Sequence, residues 1–177
     1  SRFFEAARLL RQSRPAIRFV LPAVPILQDR VEVILRHCGM ADQVQLITGQ
    51  SHTALAACDL TLIASGTATL EAALFKRPMV IAYNMSAMSW RLMRAKQLQP
   101  WVGLPNILCG EFVVPELLQD AATPQAMARE ALAWIEAIEK RSERIRALEH
   151  RFIELHRSLQ GDTSELAAHA IEQVLQG

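Results

Sequence analysis

The sequence predicts an α/β fold with a doubly wound sheet of parallel strands. The first observation is the stretch from Asp59 to Tyr83, where two apolar runs of strand length flank a helical pattern. A strand, a small-residue turn, a helix and a second strand in this order predict a parallel βαβ unit with a right-handed crossover. The second observation is the regular alternation of strand and helix patterns before this unit, which is typical of such sheets.

Length and composition are those of one globular domain. A chain of 177 residues, 51% of them hydrophobic, buries roughly 70% of the surface that its unfolded form exposes. The net charge of +1 excludes a strongly electrostatic nucleic-acid binder, so no nucleic-acid partner is expected. Cys38, Cys58 and Cys109 form no CxxC pair, and we expect them to be buried small hydrophobic residues of a protein from a reducing compartment. No apolar run is long enough to span a membrane.

The elements before the central unit follow from apolar patterns and their stop signals. The apolar pattern of the first helix is already under way at Phe3, so the chain is expected to be a fragment that lacks an earlier strand. The expected elements are a helix ending near Ser13, a strand over 17–21 stopped by Pro22, an amphipathic helix over 27–37 capped by Gly39, a strand over 44–47 and a short helix over 53–57.

Within the central unit we expect a strand over 60–64, a helix over 68–75 ended by Pro78, and a strand over 79–83. The pattern then changes to a mixed apolar and basic segment. The elements expected beyond it are a loop or short strand over 104–108, a short helix from Val114 to Gln119, a helix from Thr123-Pro124 to Lys140, a helix over 142–159 and a last helix to Leu175, opened by a capping box over 162–165.

The turn between the first strand and the helix of the central unit is a candidate phosphate site. Ser65 and Thr67 can cap the helix, Gly66 allows a close backbone approach, and free N–H groups at a helix start attract phosphate. An ordinary joint of small residues is the alternative, because the turn is neither G-x-G-x-x-G nor a P-loop. Glu71 either favours the helix dipole or accepts hydrogen bonds from ribose hydroxyls.

Ligands of doubly wound sheets bind beyond the carboxyl ends of the strands, which places the Thr48-Gly49 turn on the same rim as this turn. Other kinds of site are weakly indicated. The five histidines have no ligand spacing, so no metal is expected, and there is no G-x-S-x-G nucleophile motif.

The segment from Asn84 to Trp101 is predicted to meet a membrane or the acyl chains of a substrate. It contains three methionines, two tryptophans and three cations but no acid. Amphipathic segments of this composition lie in a membrane interface, and methionine suits an adaptable apolar contact. The alternative is a helix that packs in the core with solvated cations. The candidate contact residues are Met88, Trp90, Arg91, Arg94, Lys96 and Trp101.

Several of these stretches together resemble the C-terminal half of the lipid-A-disaccharide synthase family, over about residues 3–174. The resemblance is carried by Ala64-Ser65-Gly66-Thr67-Ala68-Thr69-Leu70-Glu71, by Arg77-Pro78-Met79-Val80, by Tyr83, by Leu104-Pro105-Asn106 and by Pro115-Glu116-Leu117-Leu118-Gln119. It implies a Rossmann-like, C-terminal nucleotide-sugar domain of GT-B architecture over 1–160. It also implies that the helix over 161–177 crosses to an N-terminal domain outside this chain.

The resemblance implies transfer of 2,3-diacylglucosamine from UDP to 2,3-diacylglucosamine 1-phosphate, without a cofactor. It implies UDP contacts at Thr48, Gly49, Ser65, Gly66, Thr67, Ala68, Thr69 and Glu71, with the Thr48-Gly49 backbone at the uracil edge. Asn106 matches a family asparagine near the reaction centre, whereas the general base is expected in the N-terminal domain. The implied partners are UDP-diacylglucosamine, the glycolipid phosphate acceptor, the N-terminal domain of the same protein and an anionic membrane surface. The implied location is cytoplasmic, on the inner face of the inner membrane.

Two alternatives remain open at this point. One is another UDP-sugar enzyme of the same architecture, of the peptidoglycan glucosaminyltransferase or UDP-N-acetylglucosamine epimerase type. In such an enzyme we would expect a different segment at the position that follows Tyr83 here. The other is a non-catalytic module that binds nucleotide or docks on a membrane. The residues also leave open whether the protein is a homodimer.

Overall fold

The computed structural model describes residues 2–64, 66–96, 99–161 and 163–176. The strands are β1 (Phe19–Ala23), β2 (Val44–Thr48), β3 (Thr61–Ile63), β4 (Met79–Tyr83) and β5 (Glu116–Leu118). The helices are α1 (Arg2–Ser13), α2 (Gln28–His37), α3 (Ser51–Ala57), α4 (Thr67–Leu74), α5 (Ala87–Lys96), α6 (Leu104–Cys109), α7 (Pro124–Glu139), α8 (Glu143–Ser158) and α9 (Thr163–Gln176). The α/β class and the central βαβ unit, β3-α4-β4, are confirmed.

All strand pairs in the described residues are parallel, and the strands form two ladders. β1 pairs with β2 so that Ala23 lies opposite Thr48. The second ladder has the order β3-β4-β5, with Ile63 opposite Ile81 and Tyr83 opposite Leu118. Because the strands in each ladder run in one direction, their carboxyl ends share an edge, and ligands of α/β sheets bind at that edge.

Helix α1 connects the two ladders. Its Ala7 is buried in a cluster with Leu35 of α2 and Val44 of β2. Its Leu10 is buried in the main core, which includes Val80 of the second ladder. The same helix packs along α7. One helix therefore buries apolar side chains against both ladders.

The main core lies between β4 and the helices α7 and α8. Trp134 and Phe152 are 1% and 0% exposed and are its largest side chains. Helix α7 begins where the sequence predicts, since the Thr123 hydroxyl accepts a 3.1 Å hydrogen bond from the backbone N–H of Ala126. The long predicted helices over 124–140 and 142–159 are confirmed as α7 and α8.

Two predicted elements are wrong. Residues 104–108, expected as a loop or short strand, belong to α6, because Pro105 fits a first helical turn and Gly110, at φ +70°, ends the helix. Residues 114–119, expected as a helix, include β5 instead. The edge of β4 supplies backbone partners to this stretch, such as the 3.0 Å bond from Ile81 N–H to the Pro115 carbonyl. Pairing with the sheet overrides the helix propensity of the leucines.

The first ladder corrects two further expectations. Pro22 lies within β1, opposite Ile47, instead of ending the strand. Proline lacks an N–H group, and β1 is an edge strand among the described residues, where that loss is tolerated. The apolar stripe expected on α2 is only partly buried, because Val33 is 58% exposed and Ile34 is 38% exposed.

The last helix, α9, exposes its apolar side chains. Ile171 is 60% exposed, Val174 is 80% exposed and Leu175 is 79% exposed. The capping box expected to open this helix includes Asp162, which lies outside the described residues. None of the helices that the structure describes combines the length and apolar character needed to cross a bilayer.

Candidate functional site at the carboxyl ends of the strands

The Thr48-Gly49 turn leaves the carboxyl end of β2. Gly49 is exposed at φ +67°, a conformation that favours glycine, and its N–H donates to the Ala23 carbonyl at 3.0 Å. The Thr48 hydroxyl donates to Gln28 Oε1 at 2.7 Å, so the side chain is held by α2. A ligand at this turn would therefore meet mainly the backbone.

The second turn precedes α4. Gly66 is exposed at φ +95° and is the N-cap of the helix, whereas Ser65 lies outside the described residues. Thr67 is the first helical residue and does not cap it, contrary to our expectation. The first backbone N–H groups of a helix lack partners within the helix, and here the first two belong to the exposed residues Thr67 and Ala68. This end of α4 is suited to an anion.

The two threonines of α4 differ in what they offer a ligand. Thr67 is exposed at the helix start, and so is its neighbour Ala68. Thr69 is 0% exposed, and its hydroxyl donates to the Gly66 carbonyl at 2.7 Å. Thr69 therefore holds the turn from within and does not present its side chain to the rim.

Glu71 is joined to a residue that the sequence did not single out. Its Oε2 lies 3.6 Å from Nε2 of His52, in the first turn of α3, and the two side chains are 41% and 71% exposed. The His52 ring also lies 5.7 Å from the Phe75 ring. Since α3 begins just after the Thr48-Gly49 turn and α4 just after Gly66, this contact joins the two helices that follow the turns. No spacing motif marks His52, because the pair arises from packing of α3 against α4.

Arg77 adds a second connection between these helices. Its Nε donates to the Leu55 carbonyl at 3.0 Å, and its guanidinium also donates to the carbonyl of Ala56. The end of α3 is thereby bound to the residues that follow α4. The two helices are therefore connected by His52 and Glu71 near their beginnings and by Arg77 near their ends.

Asn106 is buried below the rim. Its Oδ1 accepts hydrogen bonds from the backbone N–H groups of Val113 at 2.8 Å and Val114 at 3.0 Å. Its Nδ2 donates to the Val114 carbonyl at 2.9 Å and to Glu116 Oε1 at 2.8 Å. The residue is 0% exposed, and these four bonds use the whole capacity of its amide. Asn106 therefore ties α6 to the residues leading into β5, and its place near the reaction centre stays a prediction.

Helix α5 exposes apolar and basic side chains on its surface. Met88 and Leu92 are 83% and 59% exposed, one turn apart, and Arg91 between them is exposed as well. Arg94 is exposed, with its guanidinium 5.9 Å from the centre of the Trp90 ring. These exposures contradict the alternative of a core-packing helix. Trp101 is half-buried, and the Lys96 side chain lies outside the described part.

Thiol and metal chemistry find little support in the described residues. All three cysteines are only partly buried, whereas we expected buried residues. Burial raises the pKa of the Cys58 and Cys109 thiols and so disfavours the reactive thiolate. Among the residues that the structure describes, no cluster of His, Cys, Asp and Glu could hold a metal ion.

Comparison with known proteins shows the family. Residues 1–171 match the sequence profile of lipid-A-disaccharide synthetase. The chain is 64% identical over 176 residues to the lipid-A-disaccharide synthase of Albidiferax ferrireducens, with 99% of this chain and 45% of that protein covered. It is 62% identical over 173 residues to that of Verminephrobacter eiseniae, with 98% and 44% covered. The chain spans about half the length of the curated relatives it matches. It belongs to the lipid-A-disaccharide synthetase family.

Proposed function

We propose that this chain is the UDP-sugar-binding half of a glycosyltransferase. The whole enzyme would transfer 2,3-diacylglucosamine from UDP-2,3-diacylglucosamine to 2,3-diacylglucosamine 1-phosphate, giving lipid A disaccharide 1-phosphate and UDP. The observation that carries the proposal is the His52–Glu71 contact, which joins the helices that follow two exposed glycine turns in a chain of this family. One turn would receive the uracil and the other the diphosphate, with Glu71 next to the ribose.

The proposed chemistry matches what these residues offer. Transfer breaks the bond between the sugar C1 and the diphosphate oxygen, so negative charge grows on the departing UDP. Backbone N–H groups and the positive end of the α4 dipole would stabilise that charge without a metal. The acceptor hydroxyl forms the new bond to C1 and gives its proton to a general base. We assign the base to the other half of the protein.

The function is tested by mass spectrometry of the products formed by the full-length protein. With UDP-2,3-diacylglucosamine and 2,3-diacylglucosamine 1-phosphate, we expect the disaccharide 1-phosphate and UDP in equal amounts. A parallel reaction with UDP-N-acetylglucosamine tests the epimerase and peptidoglycan alternatives. The proposal would be contradicted if a folded sample formed disaccharide from UDP-N-acetylglucosamine but not from UDP-2,3-diacylglucosamine. Epimerised UDP-sugar as the product would contradict it as well.

We further propose that α5 contacts the lipid partner, as a peripheral surface at the inner face of the inner membrane. Exposed Met88 and Leu92 would enter the interface, and Arg91 and Arg94 would meet anionic headgroups or the acceptor phosphate. Each cation near an anionic surface contributes about 1 kcal/mol. Such a surface gives reversible docking and not a permanent anchor.

The docking proposal predicts a charge-dependent membrane affinity. Full-length protein with Arg91→Glu, Arg94→Glu and Lys96→Glu together should co-sediment with anionic vesicles at least about tenfold more weakly than wild type, since the three attractions become repulsions. Three exposed arginines of α1 and α2, Arg8, Arg11 and Arg36, changed to glutamate provide the control for altered net charge. Equal vesicle binding by wild type and the α5 variant, at both low and high salt, would refute the docking role.

We also propose that α9 packs on the N-terminal domain of the same protein. The proposal is supported by the exposure of Ile171, Val174 and Leu175 in this chain. It predicts that hydrogen exchange of the α9 amides is much slower in the full-length protein than in the 177-residue chain. Equal exchange rates in both samples would remove the support for this packing.

A further inference from the structure

The stretch between β4 and α6 is bound at its β4 end by a side chain that follows β5. Gln119 Oε1 accepts a 2.7 Å hydrogen bond from the Met85 backbone N–H. Gln119 Nε2 donates a 3.0 Å hydrogen bond to the Met85 carbonyl. One amide thus pairs with both backbone groups of one residue, as a neighbouring strand would. Met85 stands two residues after β4 and two before α5.

The α6 end of the same stretch is bound by the first residue of β5. Glu116 Oε2 accepts from the Val102 N–H at 2.8 Å, and Oε1 accepts from the Gly103 N–H at 2.8 Å. Oε1 also accepts from Asn106 Nδ2. A carboxylate only accepts hydrogen bonds and bonds strongly to N–H donors, so two adjacent backbone N–H groups and an amide fit its chemistry.

The backbone at both ends supports a specific role for these contacts. Gln119 has φ +54°, an uncommon conformation for a residue other than glycine. At the other end, a Cβ on Gly103 would lie 2.4 Å from Ile81 Cδ1 and 2.9 Å from Glu116 Oε1. The Gly103 backbone therefore approaches the carboxylate more closely than any other residue type could. The positive φ of Gln119 and the close approach at Gly103 are separate observations at the two ends of the stretch.

We propose that Glu116 and Gln119 are positioning residues that hold both ends of this stretch, whose described parts are 84–96 and 99–103. By fixing both ends, they set where α5 stands beside the strand-end rim. Tyr83 lies opposite Leu118, so the Gln119 contact is at the edge that carries the proposed donor site. The link to substrate rests on the proposed function, because it assumes that α5 meets the lipid acceptor.

The test uses the full-length protein with two isosteric changes. Glu116→Gln turns an acceptor oxygen into an NH₂ group that faces N–H donors. Gln119→Glu puts a carboxylate oxygen against the Met85 carbonyl. Glu149→Gln and Gln125→Glu, on exposed positions of α8 and α7, are the matched controls. The readouts are peptide-resolved hydrogen exchange, UDP affinity and the Michaelis constant for the acceptor.

We expect exchange around Met85 and around Val102 and Gly103 to accelerate about tenfold or more, with α7 and α8 unchanged. The acceptor KM should rise severalfold while UDP affinity stays within about twofold, because the donor turns are untouched. Unchanged local exchange, acceleration spread equally over the core, or local acceleration with an unchanged acceptor KM would overturn the proposal. If Glu116→Gln does not fold, Gln119→Glu decides alone. Absence of transfer by wild type would contradict only the proposed function, since exchange needs no substrate.

Discussion

Asn106→Ala is expected to lower the free energy of unfolding by about 3 kcal/mol. The change removes a buried amide that forms four hydrogen bonds. The Val114 N–H and carbonyl would lose these partners in the interior, since Val114 is 0% exposed. Urea unfolding of the variant and wild type, followed by circular dichroism, measures the difference.

Asn84→Ala is the matched control, because Asn84 is the other asparagine of the chain and is exposed. Its unfolding free energy should stay within about 0.5 kcal/mol of wild type. If Asn106→Ala were as stable as this control, the hydrogen-bond network would not hold α6 as described. Loss of activity together with stability in Asn106→Ala would support a structural role and would not by itself establish a catalytic one.

Glu71→Ala is expected to weaken UDP binding to the full-length protein by roughly 10- to 100-fold. The expected loss reflects charge-assisted hydrogen bonds to the ribose, which contribute about 1.5–3 kcal/mol. The Glu71 side chain is 41% exposed and lies on the rim, where such contacts can form. Calorimetric titration with UDP measures the change.

Two further variants separate the ribose contact from other roles of Glu71. Glu71→Gln removes the charge but keeps the shape, and it should lose a smaller part of the affinity. Glu149 is an exposed residue of α8, and the Glu149→Ala variant should bind UDP as wild type does. If the UDP affinity of Glu71→Ala equals that of wild type, Glu71 does not bind the ribose, and its role is the favourable interaction with the α4 dipole.

The local sequence pattern was sufficient to predict those elements whose local preference agrees with their contacts in the fold. β3-α4-β4 is read from apolar runs around small residues, and α7 from the Thr123-Pro124 start. The local pattern gave the wrong element where contacts with residues distant in sequence determine the secondary structure. β5 is a strand because β4 offers it an edge, and its Glu116 is held by backbone N–H groups more than ten residues earlier. No local pattern contains those contacts.

The candidate site divides in the same way. The glycine conformations at Gly49 and Gly66 agree with turns read from the sequence. The inward position of Thr69 and the contact of His52 with Glu71 depend on how α3 and α4 pack, which spacing along the chain does not encode. The hydrogen bonds by which Glu116 and Gln119 hold the stretch between β4 and α6 likewise depend on the pairing of β5 with β4.

The central claim is that the turns at Gly49 and Gly66, which precede the paired helices α3 and α4, bind UDP. It is tested most directly by titrating UDP into the isotope-labelled 177-residue chain, shown to be folded by its amide dispersion, and following each amide by NMR. We predict saturable shifts at Thr48, Gly49 and Gly66 through Glu71, with α7 and α8 unaffected. No shifts at millimolar UDP, or shifts centred on another surface of the folded chain, would contradict the account.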